Sequence, residues 1–383
     1  MGSENRTEVD LEAAPRPRNV IVLLDGTWND ENGRQNDGVV TNIYKLFTSM
    51  AGTEERKAIP FTRSTPNQLA MYFRGVGNDE DASLKKTYFQ GAFGSGEKNI
   101  RDHAYTQIVR NYHPGDRIFV IGFSRGAACA RLLCAKIERD GIPKWIETET
   151  DEQLNHSSGK LEERFVKYKA AKRGAKMDLS ITFLGLFDTV GAFGIPVNLG
   201  FNFQKVNLFR DMTVSRIVEK TVHLVSIDES REPFLPTLTN KRDNVEEVWF
   251  PGVHADVGGG YHHSEIGNLS MEFMVRRMQV TAAGVPIDLI QAEIDKHTHF
   301  DLNKPVHMHH HGDGFKKDAR RIYVQDDDKP TRDKPKVHAS VAKLMRHSDF
   351  KLIESHNSYK VHHKIEYHPM NVKRLGNDYI EEE

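Results

Sequence analysis

Cysteine is scarce in this sequence of 383 residues, which holds two, Cys129 and Cys134. Five positions apart on one helical pattern, they face different directions. That excludes a disulfide between them and leaves two small buried side chains in a reducing compartment. An excess of one charge is lacking as well: Lys plus Arg number 53 against 54 for Asp plus Glu, a net charge of −1. No basic surplus is available to grip a phosphate backbone, so nonspecific nucleic-acid binding is excluded. Nor is there a run of about 18 apolar residues of the kind that spans a bilayer. Residues 1–18 are polar and acidic, with Pro15 and Pro17. They have no apolar core of a signal peptide. These absences describe a soluble protein made in the cytoplasm, and nothing in the residues displays a secretion route.

What is present is a rhythm of short apolar runs separated by helical patterns. Strands are expected at Asn19 to Leu24, Met71 to Val76, Arg117 to Ile121, Ile181 to Phe187, Thr221 to Ile227 and Val245 to Phe250. Helices are expected from Thr41 to Met50, from about Glu97 to Tyr112, and from Leu269 to Met278. Such an order predicts an α/β fold, with a mainly parallel sheet and helices on both faces. Residues 1–18 read as a disordered leader and 19–383 as a single domain. That domain carries helical or loop insertions at about 140–178 and 191–215, and a polar, histidine-rich C-terminal extension over about 279–383. The first insertion is charged and includes a helix candidate, Leu161 to Arg173. The second crowds Phe193, Phe201, Phe203 and Phe209 into a short stretch.

The chain is organised around Gly122-Phe123-Ser124-Arg125-Gly126. It matches G-x-S-x-G between a β-branched strand and an Ala-rich helix, the context that a nucleophile elbow requires. A serine on so tight a turn has its hydroxyl thrust out of the sheet, and glycines on either side allow the strain and the close approach. The alternative is an ordinary strand-to-helix turn with a capping serine. Ligands of open parallel sheets bind beyond the carboxyl ends of strands, where the sequence places Asp25, Ser124, Asp188, Asp228 and His254. Serine needs a base, and His254, in the glycine-rich loop after the last strand, is the candidate. The acid is contested among Asp188, Asp228 and Asp256, each of which could equally hold a turn. Counting strands favours Asp228. The order Ser, acid, His is that of α/β-hydrolases.

The Arg125 N–H, at the start of a helix, is one candidate oxyanion donor. Gly26 or Thr27 in the loop after the first strand supplies the second. A phosphatase that starts from Asp-Gly-Thr would need an aspartate where Leu23 stands. A P-loop would need lysine where Glu97 follows Gly96. His307, His309, His310 and His311 have no accompanying carboxylate or cysteine pattern and read as a solvated loop. Neither a metal nor a cofactor is expected.

Four stretches together carry a family likeness: Leu24-Asp25-Gly26-Thr27-Trp28-Asn29, Gly122 to Ala127, Phe187-Asp188-Thr189-Val190-Gly191, and Gly252 to Tyr261. In this order, across about residues 19–265, the chain resembles the predicted α/β-hydrolases that include the type VI secretion lipase effectors. The resemblance implies a serine hydrolase, with phospholipase activity among relatives, and makes Asp188 the leading acid with Asp228 as runner-up. No delivery or spike-binding module is recognisable, and many relatives are longer, so an antibacterial effector role is not carried over. The expected reaction is hydrolysis of a carboxylic ester by Ser124, His254 and Asp188. A lipid is the first choice of substrate, because Phe201 and Phe203 could wall an acyl chain, although both could equally be core. A small-molecule esterase or thioesterase is the second reading, and a non-catalytic binding scaffold the third. The expected partners are an ester or lipid and, transiently, a membrane surface.

Overall fold

Runs of apolar residues become strands buried on both faces, and these form the centre of a ten-stranded sheet. The computed structural model describes the chain apart from residues 1–2, 10–11, 13–15, 34–37, 78–92, 156–159, 172–178, 192–212, 312–317 and 356–358. In chain order the first strands are β1 (Ser3–Glu8), β2 (Asn19–Leu24), β3 (Thr53–Glu55), β4 (Phe61–Thr65), β5 (Gln68–Phe73) and β6 (Arg117–Phe123). Next come β7 (Trp145–Asn155), β8 (Lys160–Ala170), β9 (Ile181–Phe187), β10 (Val218–Ser226) and β11 (Val245–Phe250). The last are β12 (Val306–His311), β13 (Gln325–Asp326), β14 (Lys329–Pro330), β15 (Lys336–His338), β16 (Phe350–Ser355), β17 (Lys360–Ile365) and β18 (Ile380–Glu382). The large sheet has the order β18-β15-β11-β10-β9-β6-β2-β5-β4-β3. It is parallel from β18 to β5, and only β4 and β3 run antiparallel at one edge.

Helices cover both faces because side chains alternate along each strand. Ile21 and Leu23 pack with Phe47 of α1 (Asn42–Ser49) and Phe273 of the helix Glu265–Thr281. Val20, Val22 and Leu24 pack on the other face with Ile108 of α2 (Phe93–Asn111) and Leu133 of α3 (Arg125–Asp140). The remaining helices are α4 (His254–Gly258), α5 (Glu265–Thr281), α6 (Gln291–Thr298), α7 (Ser340–Met345) and α8 (Met370–Lys373). Cys129 and Cys134 are buried free thiols on α3. Among the described residues no helix is long and apolar enough to cross a membrane.

Three expectations are corrected. Residues 3–8 of the expected leader form β1, which pairs antiparallel with β7, and Arg6 lies 4.6 Å over the Trp145 ring. Leu161 to Ala170 of the helix candidate Leu161 to Arg173 lie instead in strand β8, so the described part of the insertion at 140–178 is mainly a β-ribbon. Cross-strand pairing outweighs the helix-forming composition there: Lys167 reaches Glu149 at 2.8 Å and Lys169 reaches Glu147 at 3.2 Å. Phe165 stacks on His103 of α2, which pins the ribbon to the body of the fold. The segment 279–383 is more than an extension, since β15 and β18 continue the large sheet and β12, β16 and β17 form a sheet of their own. Phe201, Phe203 and most of the insertion at 191–215 lie outside the described residues.

Candidate active site

Ser124 occupies the single position between β6 and α3, with φ 59° and ψ −121°, a left-handed backbone that a side chain adopts only under constraint. The flanking glycines make that turn possible. A Cβ on Gly122 would stand 2.4 Å from the Gly126 carbonyl oxygen, and one on Gly126 would stand 2.3 Å from that of Leu24. The start of α3 therefore lies directly on the end of β2, and its first turn faces the loop that begins at Asp25. The Ser124 amide donates to the Phe187 carbonyl at 2.9 Å, tying the turn to the end of β9.

His254 is the first residue of α4, immediately after the loop that follows β11. Its Nε2 is 2.8 Å from Ser124 Oγ, and its Nδ1 is 2.6 Å from Asp188 Oδ2. The ring sits between the aromatic rings of Phe123 and Phe234, with centroids at 4.7 and 5.0 Å. The glycines after His254 allow this packing, because a Cβ on Gly258 would fall 2.0 Å from the Phe123 ring. Burial holds the His254 imidazole below its ordinary value, against the pull of Asp188. Asp188 is fully buried, with φ 41° just beyond β9. Burial alone would raise its carboxyl, but the Arg320 charge and then the His254 hydrogen bond override that and hold it well below the usual carboxylate range. An ionised Asp188 can only accept. Nδ1 of His254 therefore carries the proton, and Nε2 turns its lone pair to the Ser124 hydroxyl.

The structure brings Ser124, His254 and Asp188 into one chain of hydrogen bonds and leaves Asp228 out of it. The Asp228 Oδ2 accepts instead from the Gly252 amide and the Tyr367 hydroxyl, both at 2.7 Å. Burial pushes this carboxyl up to about 7. Asp256 accepts from the Val253 amide at 3.0 Å and lies 2.6 Å from His309 Nδ1. Of the two loop residues expected near Ser124, Gly26 gives its N–H to Asp25 Oδ1 at 2.7 Å. Thr27 lines the cavity and has a buried Oγ1 with no hydrogen-bond partner.

Two residues of the site were missed from sequence. Arg320 donates Nη1 to Asp188 Oδ1 at 2.6 Å and Nη2 to Oδ2 at 2.9 Å. Nothing in Lys317-Asp318-Ala319-Arg320-Arg321 distinguishes it from its neighbour. Glu229, next to Asp228, accepts from the His254 amide at 3.3 Å. Burial opposes its ionisation, but the Arg231 guanidinium outweighs it and holds the carboxyl down at about 2. The reading of 307–311 as a solvated loop is also corrected. These residues lie in β12, His307 and His309 are buried, and carboxylates do accompany them, Glu265 and Asp256. Sequence spacing hid the pairing, because the acids stand more than forty positions away along the chain.

A cavity of about 490 Å³ opens over this site, lined by Thr27, Trp28, Ser124, Arg125, His254 and His263 among others. The family described as "T6SS, Phospholipase effector Tle1-like, catalytic domain" matches residues 18–277. An uncharacterized protein of Saccharomyces cerevisiae is 29% identical over 246 residues, covering 57% of this chain and 32% of that protein. The crystal structure of an uncharacterized protein from Pseudomonas aeruginosa superposes with a TM-score of 0.48 at 18% identity, over 74% of this chain and 49% of that one. The structure of the Tle1 effector bound to the VgrG spike of the type 6 secretion system superposes with a TM-score of 0.38 at 20% identity, over 66% of this chain and 52% of that one. The chain thus spans 32% of the length of the yeast protein and about half of each solved chain.

Proposed function

The chain belongs to the T6SS family of Tle1-like phospholipase effector catalytic domains, and we propose that it is a serine esterase of the α/β-hydrolase type acting on phospholipid acyl esters. One observation carries the reading. Ser124, on a strained strand-to-helix turn, has its hydroxyl 2.8 Å from an imidazole whose other nitrogen is 2.6 Å from a buried carboxylate. The chain order Ser124, Asp188, His254 and the mainly parallel sheet with helices on both faces support it. Residues 19–383 are proposed to act as one catalytic unit, since Arg320, His309 and Tyr367 contact Asp188, Asp256 and Asp228.

In the proposed mechanism Ser124 Oγ attacks the ester carbonyl as its proton passes to His254 Nε2. Asp188 holds the imidazole in the tautomer that makes this transfer possible and stabilises the imidazolium. The oxyanion is received by the Arg125 N–H, at the positive end of α3, and by Thr27. Collapse expels the alcohol, which takes its proton from His254 and leaves an acyl group on Ser124. Water, deprotonated by the same imidazole, then releases the fatty acid. A fluorophosphonate probe tests the nucleophile: it should label the wild type and not a folded Ser124→Ala protein, whose ester turnover should fall roughly 10³-fold or more. Labelling that survives in Ser124→Ala would sink the proposal. Faster turnover of short soluble esters than of phospholipid vesicles would reassign the substrate to small esters.

A further inference from the structure

Beside the Ser124 hydrogen-bond chain stands a second group of side chains with the composition of a metal site. His263 lies in the loop after α4, Glu265 opens α5, and His307 is the second residue of β12. Each offers a ligand atom, and the three atoms all lie within 4.8 Å of one another. His307 Nδ1 is 3.2 Å from Glu265 Oε1, and His263 Nδ1 is 4.0 Å from the same oxygen. Ligands held at about 2.0–2.2 Å around a tetrahedral zinc stand roughly 3.3–3.5 Å apart. The first pair already has that separation, and the second needs a small inward turn of the half-exposed His263 ring.

One further observation points to a cation. The His263 and His307 rings stack with centroids 3.9 Å apart and 26° between their planes, so the turn that brings His263 to the ion also opens this stack and lets each ring hold the metal in its own plane. Glu265 Oε2 is buried and has no hydrogen-bond partner. A buried, unpartnered carboxylate oxygen is costly unless a cation or donor takes it. The adjacent His309 is not part of the set, since Asp256 engages its Nδ1 at 2.6 Å. Two imidazoles with one carboxylate suit Zn²⁺ far better than Ca²⁺ or Mg²⁺, which prefer oxygen donors throughout.

We propose that His263, Glu265 and His307 bind one divalent transition-metal ion, of the Zn²⁺ class, at the rim of the cavity that holds Ser124. Three protein ligands leave a coordination position for an oxygen ligand. His263 lines the same cavity as Ser124 and His254, so that position is reached from the substrate side. The binding is independent of whether Ser124 is a nucleophile.

The test is calorimetric titration of the chelator-treated full chain with Zn²⁺, repeated with Co²⁺ followed by visible absorption. The wild type and Ser124→Ala should each take one equivalent with micromolar or tighter affinity. Glu265→Gln and His307→Ala should each weaken binding by at least the roughly 10- to 100-fold seen when even an outer-shell partner of a metal is removed. Because the His307 side chain is only 10% exposed, His263→Ala, at a side chain 43% exposed, gives the same readout with little risk to folding. Unchanged affinity in a folded His263→Ala protein would place the ion elsewhere among the 19 histidines and overturn the proposal. So would a wild type that binds Zn²⁺ no tighter than millimolar.

Discussion

Arg320 holds both carboxylate oxygens of Asp188, Nη1 at 2.6 Å from Oδ1 and Nη2 at 2.9 Å from Oδ2. Both side chains are buried, and Arg320 lies beyond the residues 18–277 that the family model matches. The carboxylate that orients His254 is therefore itself oriented from the C-terminal part of the chain. A fork of two parallel N–H···O bonds fixes the plane of the Asp188 carboxylate as well as its charge.

Arg320→Gln removes that fork and a nearby cation. Burial chiefly, and the Arg320 charge in addition, depress the His254 imidazole. The acid limb of kcat/KM should therefore lie below the ordinary imidazole value of about 6.5 in the wild type, and move to higher pH in Arg320→Gln. Stability should fall by about 3–5 kcal/mol, the cost of leaving one buried charge unpaired. The sign for Asp188 agrees: its carboxyl is held low in the folded state. Its contribution is present above the unfolded value of about 3.9 and is lost as pH falls through the lower folded value. Arg320→Lys should restore the limb in part. An acid limb that does not move in a folded Arg320→Gln protein would show that the guanidinium has no part in setting the base.

The two aspartates should separate cleanly in kinetics. Asp188→Asn should cost about 10⁴-fold in turnover, because the amide can stabilise the wrong imidazole tautomer and no longer balances the imidazolium. Asp228→Asn should leave turnover within a few fold. Its effect should appear in stability instead. Burial raises the Asp228 carboxyl to about 7, so its contribution is full below the unfolded value of about 3.9 and is lost as pH rises through 7. Relative to wild type, Asp228→Asn should therefore gain progressively in melting temperature between about pH 4 and about pH 7. A large kinetic loss in Asp228→Asn with normal turnover in Asp188→Asn would exchange the two roles.

What was legible in the sequence follows the physics of burial. Strands buried on both faces, such as Asn19–Leu24 and Ile181–Phe187, announce themselves as unbroken apolar runs. The Ser124 turn is legible because its glycines and small residues sit within a few positions of it. The choice between Asp188 and Asp228 is not, since both follow strand ends and each has the composition of a turn. Strand counting favours Asp228 and the family resemblance Asp188; in the structure His254 and Arg320 meet Asp188, while Tyr367 and Gly252 meet Asp228. Strand β8 reads as a helix because Leu161-Glu162-Glu163-Arg164 favours one locally, while Glu147 and Glu149, which pair with its lysines, are supplied by β7. Histidines on β12 looked solvated for the same reason: Asp256 and Glu265 approach them from across the fold.

Gly126→Ala should separate close packing from chemistry. The added methyl would stand 2.3 Å from the Leu24 carbonyl oxygen and 2.4 Å from that of Asp25. Both are backbone atoms that cannot swing aside, so α3 must lift from the sheet. Overpacking of this kind costs about 1–3 kcal/mol. Because Ser124 is the cap of the same helix, turnover should fall together with the melting temperature. Unaltered melting and turnover would mean that the contact between α3 and the end of β2 is looser than these distances imply.

Thr27→Val addresses the oxyanion. Valine keeps the shape of threonine and removes only the hydroxyl. In the structure that hydroxyl is buried at the cavity wall without a hydrogen-bond partner, a costly state for a group whose sole use is structural. The loop that carries it lies against Phe123, since a Cβ on Gly26 would meet that ring at 3.0 Å, and Phe123 directly precedes Ser124. The Gly26 N–H is already given to Asp25, so Thr27 is the donor proposed for this loop. If its Oγ1 meets the oxyanion, Thr27→Val should lower kcat by about 10²–10³-fold and change KM little, because the bond is made in the transition state. Thr27→Ser should retain most of the rate. Equal and modest losses in Val and Ser variants would assign the loop a packing role and leave the Arg125 N–H to be complemented by another group.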